Sequence, residues 1–283
     1  MDFEKKHQED LQRLRGFRLL DDDFMTKVFE DISCAELLIL NDEGIRVLEA
    51  HSQRGIKNLQ GRSVKLDILA VDSHNRVFNV EVQRSDRGAG AKRARYNSAL
   101  IDANVTEPGD QYEDLNETFV IFITENDVMK AGLPIYHIDR VVRETGKLFE
   151  DEEHIIYVNS QIKDETKLGR LMHDFSCTDA KDMYNKVLAD RVRYFKEDER
   201  GVEIMCREME IMRNQAHEEG IEKGRIMQLI KQVCVKMQKF SSAEEVANDL
   251  VEQDVPLIQK IMNVAPDFAP DYNVNDIYNA LKL

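Results

Sequence analysis

The sequence predicts an α/β domain followed by a long helical region. Two short strand-like runs, joined by a polar turn, lie within residues 64–83. Residues 119–124 form a continuous apolar run bounded by polar residues, which is typical of a buried strand. Between residues 202 and 240, apolar side chains recur every seven positions, as they do along one side of a long helix.

The elements of the α/β domain follow from local patterns. Acids before an apolar segment favour a helix start, because they stabilise the positive end of the helix dipole. Strand-forming runs bounded by turn residues predict strands. The predicted elements, in order, are a helix after the acids at 21–23, strands at 44–52 and within 64–83, a helix at 92–104 and a strand at 119–124. This order predicts an α/β domain ending near residue 125.

Beyond this domain the chain is predicted to contain a β-hairpin and then helices. Two strand-like runs flank a polar stretch in residues 133–160, which indicates an added hairpin. Three regions are therefore expected: an α/β domain with its hairpin extension at 1–160, a helical region at 161–240, and a small helical module at 241–283.

The heptad pattern of the long helix leaves two interpretations open. Ten of its twelve seam positions are apolar, and the exceptions, Glu219 and Lys223, lie together beside two glycines. The seam either forms a coiled coil in a homodimer or packs against its own chain, since a methionine-rich seam specifies partners poorly. The module at 241–283 carries eight acids against two lysines, so we expect a packing or interaction module rather than a DNA-reading one.

Composition excludes several classes of protein. A net charge of −15 argues against binding nucleic acid with the whole surface, so any contact with DNA must be local. The four cysteines form no Cys-x-x-Cys pair, no signal-peptide pattern is present, and no apolar run is long enough to span a membrane. We therefore expect a soluble cytoplasmic protein. The sequence also lacks histidine spacings of a zinc hydrolase, a P-loop and a nucleophile motif.

The strand pair in residues 64–83 carries a candidate metal site. Asp67 lies on the first strand, and Glu81 and Gln83 project to one side of the second, because residues alternate faces along a strand. Mg²⁺ prefers oxygen ligands and usually takes one or two carboxylates. We predict that Asp67 and Glu81 bind Mg²⁺, with Mn²⁺ as a substitute. A lysine at position 83 would stabilise charge on a phosphate; Gln83 brings none, and Lys65 on the face of Asp67 is a candidate replacement.

A basic run follows the candidate metal site directly. It contains one acid, Asp86, and has a local charge of +4 in an acidic chain. Such a patch is expected to contact the DNA backbone, although basic helix starts are often merely solvated. The predicted DNA-binding residues are Arg84, Arg87, Lys92, Arg93, Arg95 and the following Tyr96, which either stacks on a base or packs.

The chain resembles the PD-(D/E)XK nuclease superfamily, and specifically the transposase-like recombination-promoting nuclease (Rpn) group. The likeness rests on VKLDILAVDSHNRVFNVEVQ, KRARYNSALIDA and LPIYHIDRVVRETGKLFEDEEHIIYVN. Further support comes from DDDFMTKVFEDIS, LGRLMHDF and ADRVRYFKEDERG, and the resemblance spans residues 21–225.

This resemblance implies a restriction-endonuclease-like core, a mixed β-sheet flanked by helices, and Mg²⁺-dependent DNA endonuclease activity linked to recombination or mobile elements. Asp67 and Glu81 would be the metal ligands, Gln83 would take the position of the superfamily's lysine, and Glu30 is the candidate for a further metal contact. The chain has Leu66-Asp67 in place of Pro-Asp. Because the lysine is missing, the alternative is an inactive descendant that binds nucleic acid or protein through its helical tail.

Overall fold

A single mixed sheet of six strands forms the centre of the N-terminal part. The computed structural model describes residues 3–39, 46–58, 63–106, 109 and 111–281. The strands are β1 (Val47–Ile56), β2 (Val64–Asp72), β3 (Val77–Gln83), β4 (Thr118–Thr124), β5 (Ile135–Ile138) and β6 (Glu153–Asn159). Their order across the sheet is β1-β2-β3-β4-β6-β5. Pairing is antiparallel among β1, β2 and β3, parallel from β3 to β4 and from β4 to β6, and antiparallel between β6 and β5.

Helices precede, interrupt and follow these strands, so the predicted α/β class with a long C-terminal helical region is confirmed. The helices of the described residues are α1 (Phe3–Gly16), α2 (Asp22–Val28), α3 (Ile32–Glu36), α4 (Ala91–Val105), α5 (Lys167–Ser176), α6 (Lys186–Glu197), α7 (Glu199–Lys236), α8 (Ala243–Leu250), α9 (Val255–Val264) and α10 (Val274–Leu281). Among them, none has the combination of length and apolar character that crossing a membrane requires.

Helix α4 connects β3 to β4 and covers the face of the sheet that carries the candidate site. Its residue Ala94 is buried in one apolar cluster with Val120 and Phe122 of β4. Leu100 and Ile101, two turns further along α4, are buried with residues of β1 and β2. The helix is therefore fixed against the strands on both sides of β3, and its first turn lies beside the end of β3.

Helices α2, α3 and α6 pack together beside β1 and β2. Aromatic rings form much of this contact, and the Phe24 ring centroid lies 6.4 Å from that of Phe195. Phe29 stacks on Phe175 of α5 at 5.7 Å. This packing fixes α2, whose first residue approaches the candidate site.

The predicted hairpin at 133–160 consists of β5 and β6. Strand β6 pairs in parallel with β4 along its whole length, from Thr118↔Glu153 to Thr124↔Asn159. The hairpin therefore extends the central sheet. The predicted strand at 44–52 is β1, which continues to Ile56 because Gly55 pairs with Lys65 of β2, whereas residues 44 and 45 lie outside the described residues.

The chain divides into two compact units, Met1–Cys206 and Arg207–Leu283. Helix α7 runs for 38 residues without a break at its two glycines. Within the second unit, Ile226, Ile230 and Val233 of α7 are buried in one apolar cluster with residues of α8, α9 and α10. This part of the heptad stripe therefore packs inside the chain. Helix α8 starts with a capping box, in which Ser242 and Glu245 each accept a backbone N–H.

Candidate active site

The site begins where β2 and β3 separate. Their ladder pairs Val71 with Val77 and continues to Ile68 and Val80, where it ends. The next residues, Asp67 and Glu81, point to the face covered by α4. Their carboxylates take backbone N–H groups of the opposite strand: Val82 N donates to Asp67 Oδ2 at 3.0 Å, and Asp67 N donates to Glu81 Oε1 at 3.4 Å. The structure thus brings these two acids together, and we refer to them as the carboxylate pair.

Both members of the pair are removed from water, with exposed fractions of 8% for Asp67 and 0% for Glu81. Burial, and then the charges of Glu81 and Asp22, raise the pKa of Asp67 to about 8. Burial is also the main cause that raises the pKa of Glu81. Because both acids are buried, their ionised forms need positive charge nearby to be stable. Their oxygen atoms are the ligand type that Mg²⁺ prefers, so the residues present fit a divalent cation.

Arg93 reaches this site from the first turn of α4. Its Nη2 forms an ion pair with Glu81 Oε2, and its Nη1 donates to Gly88 O at 2.9 Å. The guanidinium also lies 5.9 Å from the centre of the Phe122 ring. Its charge lowers the pKa of both Asp67 and Glu81, against the larger effect of burial. Among the described residues, Arg93 is the cation in contact with the carboxylate pair.

The buried side-chain amides of two asparagines form a hydrogen-bonded chain that ends at Glu81. Asn79 Nδ2 donates to Glu81 Oε1 at 3.0 Å and is 3.3 Å from Ile68 O. Asn97 Nδ2 of α4 donates in turn to Asn79 Oδ1 at 3.2 Å, and Asn97 Oδ1 has no partner among the described atoms. Because each bond restricts the next, this chain fixes the orientation of Glu81. The sequence analysis missed both asparagines, and the available signal was that Asn79 shares a strand face with Glu81.

Gln83 and Lys65 lie at the edge of the site. The Gln83 amide packs directly on Gly88, where an added Cβ would come within 1.8 Å of Gln83 Oε1. Gly88 is therefore the residue that leaves space for this side chain. Lys65 is exposed, and because it is two residues from Asp67 it lies on the same face of β2. The structure thus places Gln83 against the loop beside Arg93, and Lys65 on the solvent side.

Helix α2 supplies a third acid, Asp22. Its charge raises the pKa of both members of the carboxylate pair. Gln53 Nε2 donates to Asp22 Oδ1 at 3.2 Å and to Thr26 Oγ1 at 3.1 Å. Gln53 has φ of +52°, within a strand, at the position facing Asp67. This strained backbone turns the amide towards α2, and strain of this kind, of about 1–3 kcal/mol, is found mainly at functional sites.

Glu30, the sequence-based candidate for a further metal contact, has partners on α2 and β1. It accepts from Lys27 Nζ at 3.1 Å and from Ser52 Oγ at 3.2 Å, and its side chain is largely exposed. Because α2 ends at Val28, Glu30 lies in the turn after this helix, whereas Asp22 is its first residue.

The predicted DNA-binding residues have different surroundings. Lys92 and Arg95 are exposed on α4. Arg84 is held in ion pairs at 2.8 Å with Asp21 and 3.2 Å with Glu125.

Tyr96 accepts a hydrogen bond from Asn58 at 3.0 Å and packs against the apolar cluster under α4. The side chain of Arg87 lies outside the described residues. Among the described cations of the run, Lys92 and Arg95 are therefore the exposed ones that take no part in the contacts given above.

A family model described as "PD-(D/E)XK nuclease family transposase" matches residues 41–223 of the chain. The chain belongs to this family. No curated protein and no solved structure gives a significant match. Membership in the PD-(D/E)XK nuclease transposase family gives the chain a nuclease or transposase-like role, and nucleases of this family use divalent metal ions. The match includes the carboxylate pair and Arg93, whereas Asp22 and Glu30 precede it.

Proposed function

We propose that the protein is a Mg²⁺-dependent DNA endonuclease that hydrolyses phosphodiester bonds, with Mn²⁺ as a possible substitute for Mg²⁺. The observation that supports this most is the carboxylate pair, buried side by side at the point where β2 and β3 separate. Two buried acids at this position are costly for the fold unless a cation joins them. A divalent metal supplies that charge.

Each residue of the candidate site has a distinct role in the proposed reaction. A divalent cation would polarise the phosphate and lower the pKa of an attacking water. Asp67 would hold it through Oδ1, because Oδ2 accepts from Val82 N, and Glu81 would hold it through Oε2, the oxygen that pairs with Arg93 in the structure. Gln83 orients water or phosphate. Lys92 and Arg95 contact the DNA backbone locally, as an otherwise acidic chain requires.

Cleavage of supercoiled plasmid tests the proposal. Nicked or linear product in Mg²⁺, and none in EDTA, is the expected result. A folded protein that cuts nothing in Mg²⁺ or Mn²⁺ would favour the alternative, an inactive nuclease descendant that binds nucleic acid or protein. Strand joining, which a role in recombination would need, is a separate readout on the same gels.

Asp22 is proposed as the third acid of the metal site, in preference to Glu30. Asp22→Asn should weaken Mg²⁺ binding by about tenfold, the scale seen when groups around a metal centre are altered. Isothermal titration calorimetry with Mg²⁺ measures this directly. Glu30→Gln is the matched control and should leave the affinity unchanged. Weaker binding in the Glu30 variant alone would restore the original sequence-based assignment.

We also propose that two chains pair through the 202–240 region, which would supply one site for each DNA strand. Ile226, Ile230 and Val233 of the heptad seam are used inside the chain, so the pairing would rely on exposed residues of α7 outside that seam, where Ile211 and Ile221 are 40% and 59% exposed. Sedimentation equilibrium should show a dimer, and Ile221→Glu should shift it towards monomer. A wild-type monomer at high protein concentration would rule this pairing out.

A further inference from the structure

Both oxygens of Glu81 have partners in the structure. Oε1 accepts from Asn79 Nδ2 at 3.0 Å, and Oε2 is occupied by the guanidinium of Arg93. The amide behind Glu81 is compatible with metal binding, because it leaves Oε2 free. The guanidinium competes with a metal, because a cation bound at Oε2 would lie against the positive charge of Arg93. Metal binding through that oxygen is therefore expected to displace Arg93 from Glu81.

Arg93 has a second place available when it is released. Glu81 is fully buried, whereas 38% of the Arg93 side chain is exposed, so the residue connects the site to solvent. Its Nη1 is held at 2.9 Å by Gly88 O, in the loop against which Gln83 packs. Its neighbours Lys92 and Arg95 face solvent on the same helix turn. A released guanidinium would thus remain at the mouth of the site, on the side where DNA is expected.

Among the described residues, the strands contribute no cation to the hydrogen bonds and ion pairs of the carboxylate pair. Gln83 is neutral, and Lys65 is exposed at the edge. A guanidinium presents parallel N–H donors that match two oxygens of a phosphate, and it keeps its charge at any working pH. Arg93 therefore has the chemistry, the position and the freedom to provide what position 83 lacks.

We propose that Arg93 has two successive partners: Glu81 when no metal is bound, and the scissile phosphate of DNA once metal has displaced it. In the first state it is the counter-ion that keeps the metal-free site folded. In the second it supplies the positive charge that Gln83 does not, which makes it a catalytic residue. This inference rests on the proposed nuclease function.

The test separates metal binding from cleavage, using the full-length chain at pH 8.5. Calorimetry without DNA should show that Arg93→Gln binds Mg²⁺ about fivefold more tightly, because a competing charge has been removed. The same variant should cut plasmid about a hundredfold more slowly at saturating Mg²⁺, as expected when one charge-stabilising group is lost. Arg193→Gln is the matched control, because Arg193 is an exposed arginine of α6 that pairs with Asp190 at 2.7 Å, and both its Mg²⁺ affinity and its cleavage rate should equal those of the wild type.

A double variant moves the charge to the strand. Arg93→Gln combined with Gln83→Lys restores a cation beside Glu81, and should cut at least about tenfold faster than Arg93→Gln alone. If Arg93→Gln fails to fold, the double variant is compared with the wild type instead. A cleavage rate within about tenfold of the wild-type rate supports the inference, and a slower rate overturns it.

Three results would overturn the assignment. Weaker Mg²⁺ binding by Arg93→Gln would show that Arg93 only orients Glu81. Unchanged Mg²⁺ binding, with a loss confined to DNA affinity in Ca²⁺, would make it an ordinary backbone contact. A double variant no faster than the single one would show that charge is not what is missing. If the wild type neither binds Mg²⁺ nor cuts DNA, the proposed nuclease function fails first.

Discussion

Asp67→Ala is expected to abolish DNA cleavage while the protein stays folded. Asp67 offers one of the two buried carboxylates, and loss of a metal ligand removes several kcal/mol of transition-state stabilisation, or about a thousandfold in rate. The fold should survive, because the substitution removes a buried carboxyl group that is costly to ionise, and the only hydrogen bond of its side chain described above is that from the backbone N–H of Val82. Plasmid nicking rates in Mg²⁺ and the thermal unfolding curve measure the two effects.

The matched control is Asp190→Ala. Asp190 lies on the exposed side of α6, where it pairs with Arg193 at 2.7 Å and contacts nothing in the candidate site. This variant should cut at the wild-type rate. Cleavage by Asp67→Ala at more than about a tenth of that rate would remove Asp67 from the mechanism, since loss of a metal ligand should slow the reaction far more than tenfold.

The second large effect is on the pH dependence of stability. Burial raises the pKa of Asp67 in the folded protein to about 8, whereas an unfolded aspartate titrates near 3.9. Between these values the folded state holds a proton that the unfolded state has lost. The free energy of unfolding of the metal-free protein should therefore fall as pH rises from about 4 to about 8, and the stabilisation is complete only below that range.

Asp67→Asn tests this sign. Asparagine keeps an oxygen for Val82 N–H and cannot ionise, so the variant should be more stable than wild type at high pH and equal to it at pH 4. At pH 8.5 in EDTA we expect the Tm of the variant to exceed that of the wild type by several degrees. Differential scanning calorimetry at both pH values measures it. Parallel pH profiles for the two proteins would show that the charge of Asp67 carries no such cost.

The strand pair that carries the site could be predicted because its signals are local. Alternation along residues 64–83 places Asp67 and Glu81 on one face, and the polar turn fixes their register. The residues of α4 that reach the candidate site could not be predicted in the same way. Arg93 and Asn97 are separated from it by the loop and by the rotation of a helix whose outer face is also charged. Only the packing of α4 against β4 decides which of its side chains reach inwards.

The choice between Glu30 and Asp22 depended on where a helix ends. An acidic helix start was visible in the sequence, but acids there have a sufficient local reason in the helix dipole. The length of α2 and its placement by aromatic packing bring Asp22 near the carboxylate pair. The heptad stripe of α7 shows the same limit, because a repeat reveals an apolar face and not whether the chain's own helices fill it.

The polar residues of β3 also bear on how the chain escapes aggregation while it folds. Strand β3 can pair with β2 as soon as their short turn is made, but its other edge stays open until α4 and β4 have been synthesised. An open apolar edge recruits strands from other chains, and inward-pointing polar or charged residues are one protection against this. Asn79 and Glu81 interrupt an otherwise apolar strand at that edge. The polar side chains of the candidate site are therefore expected to protect this strand edge from aggregation during folding.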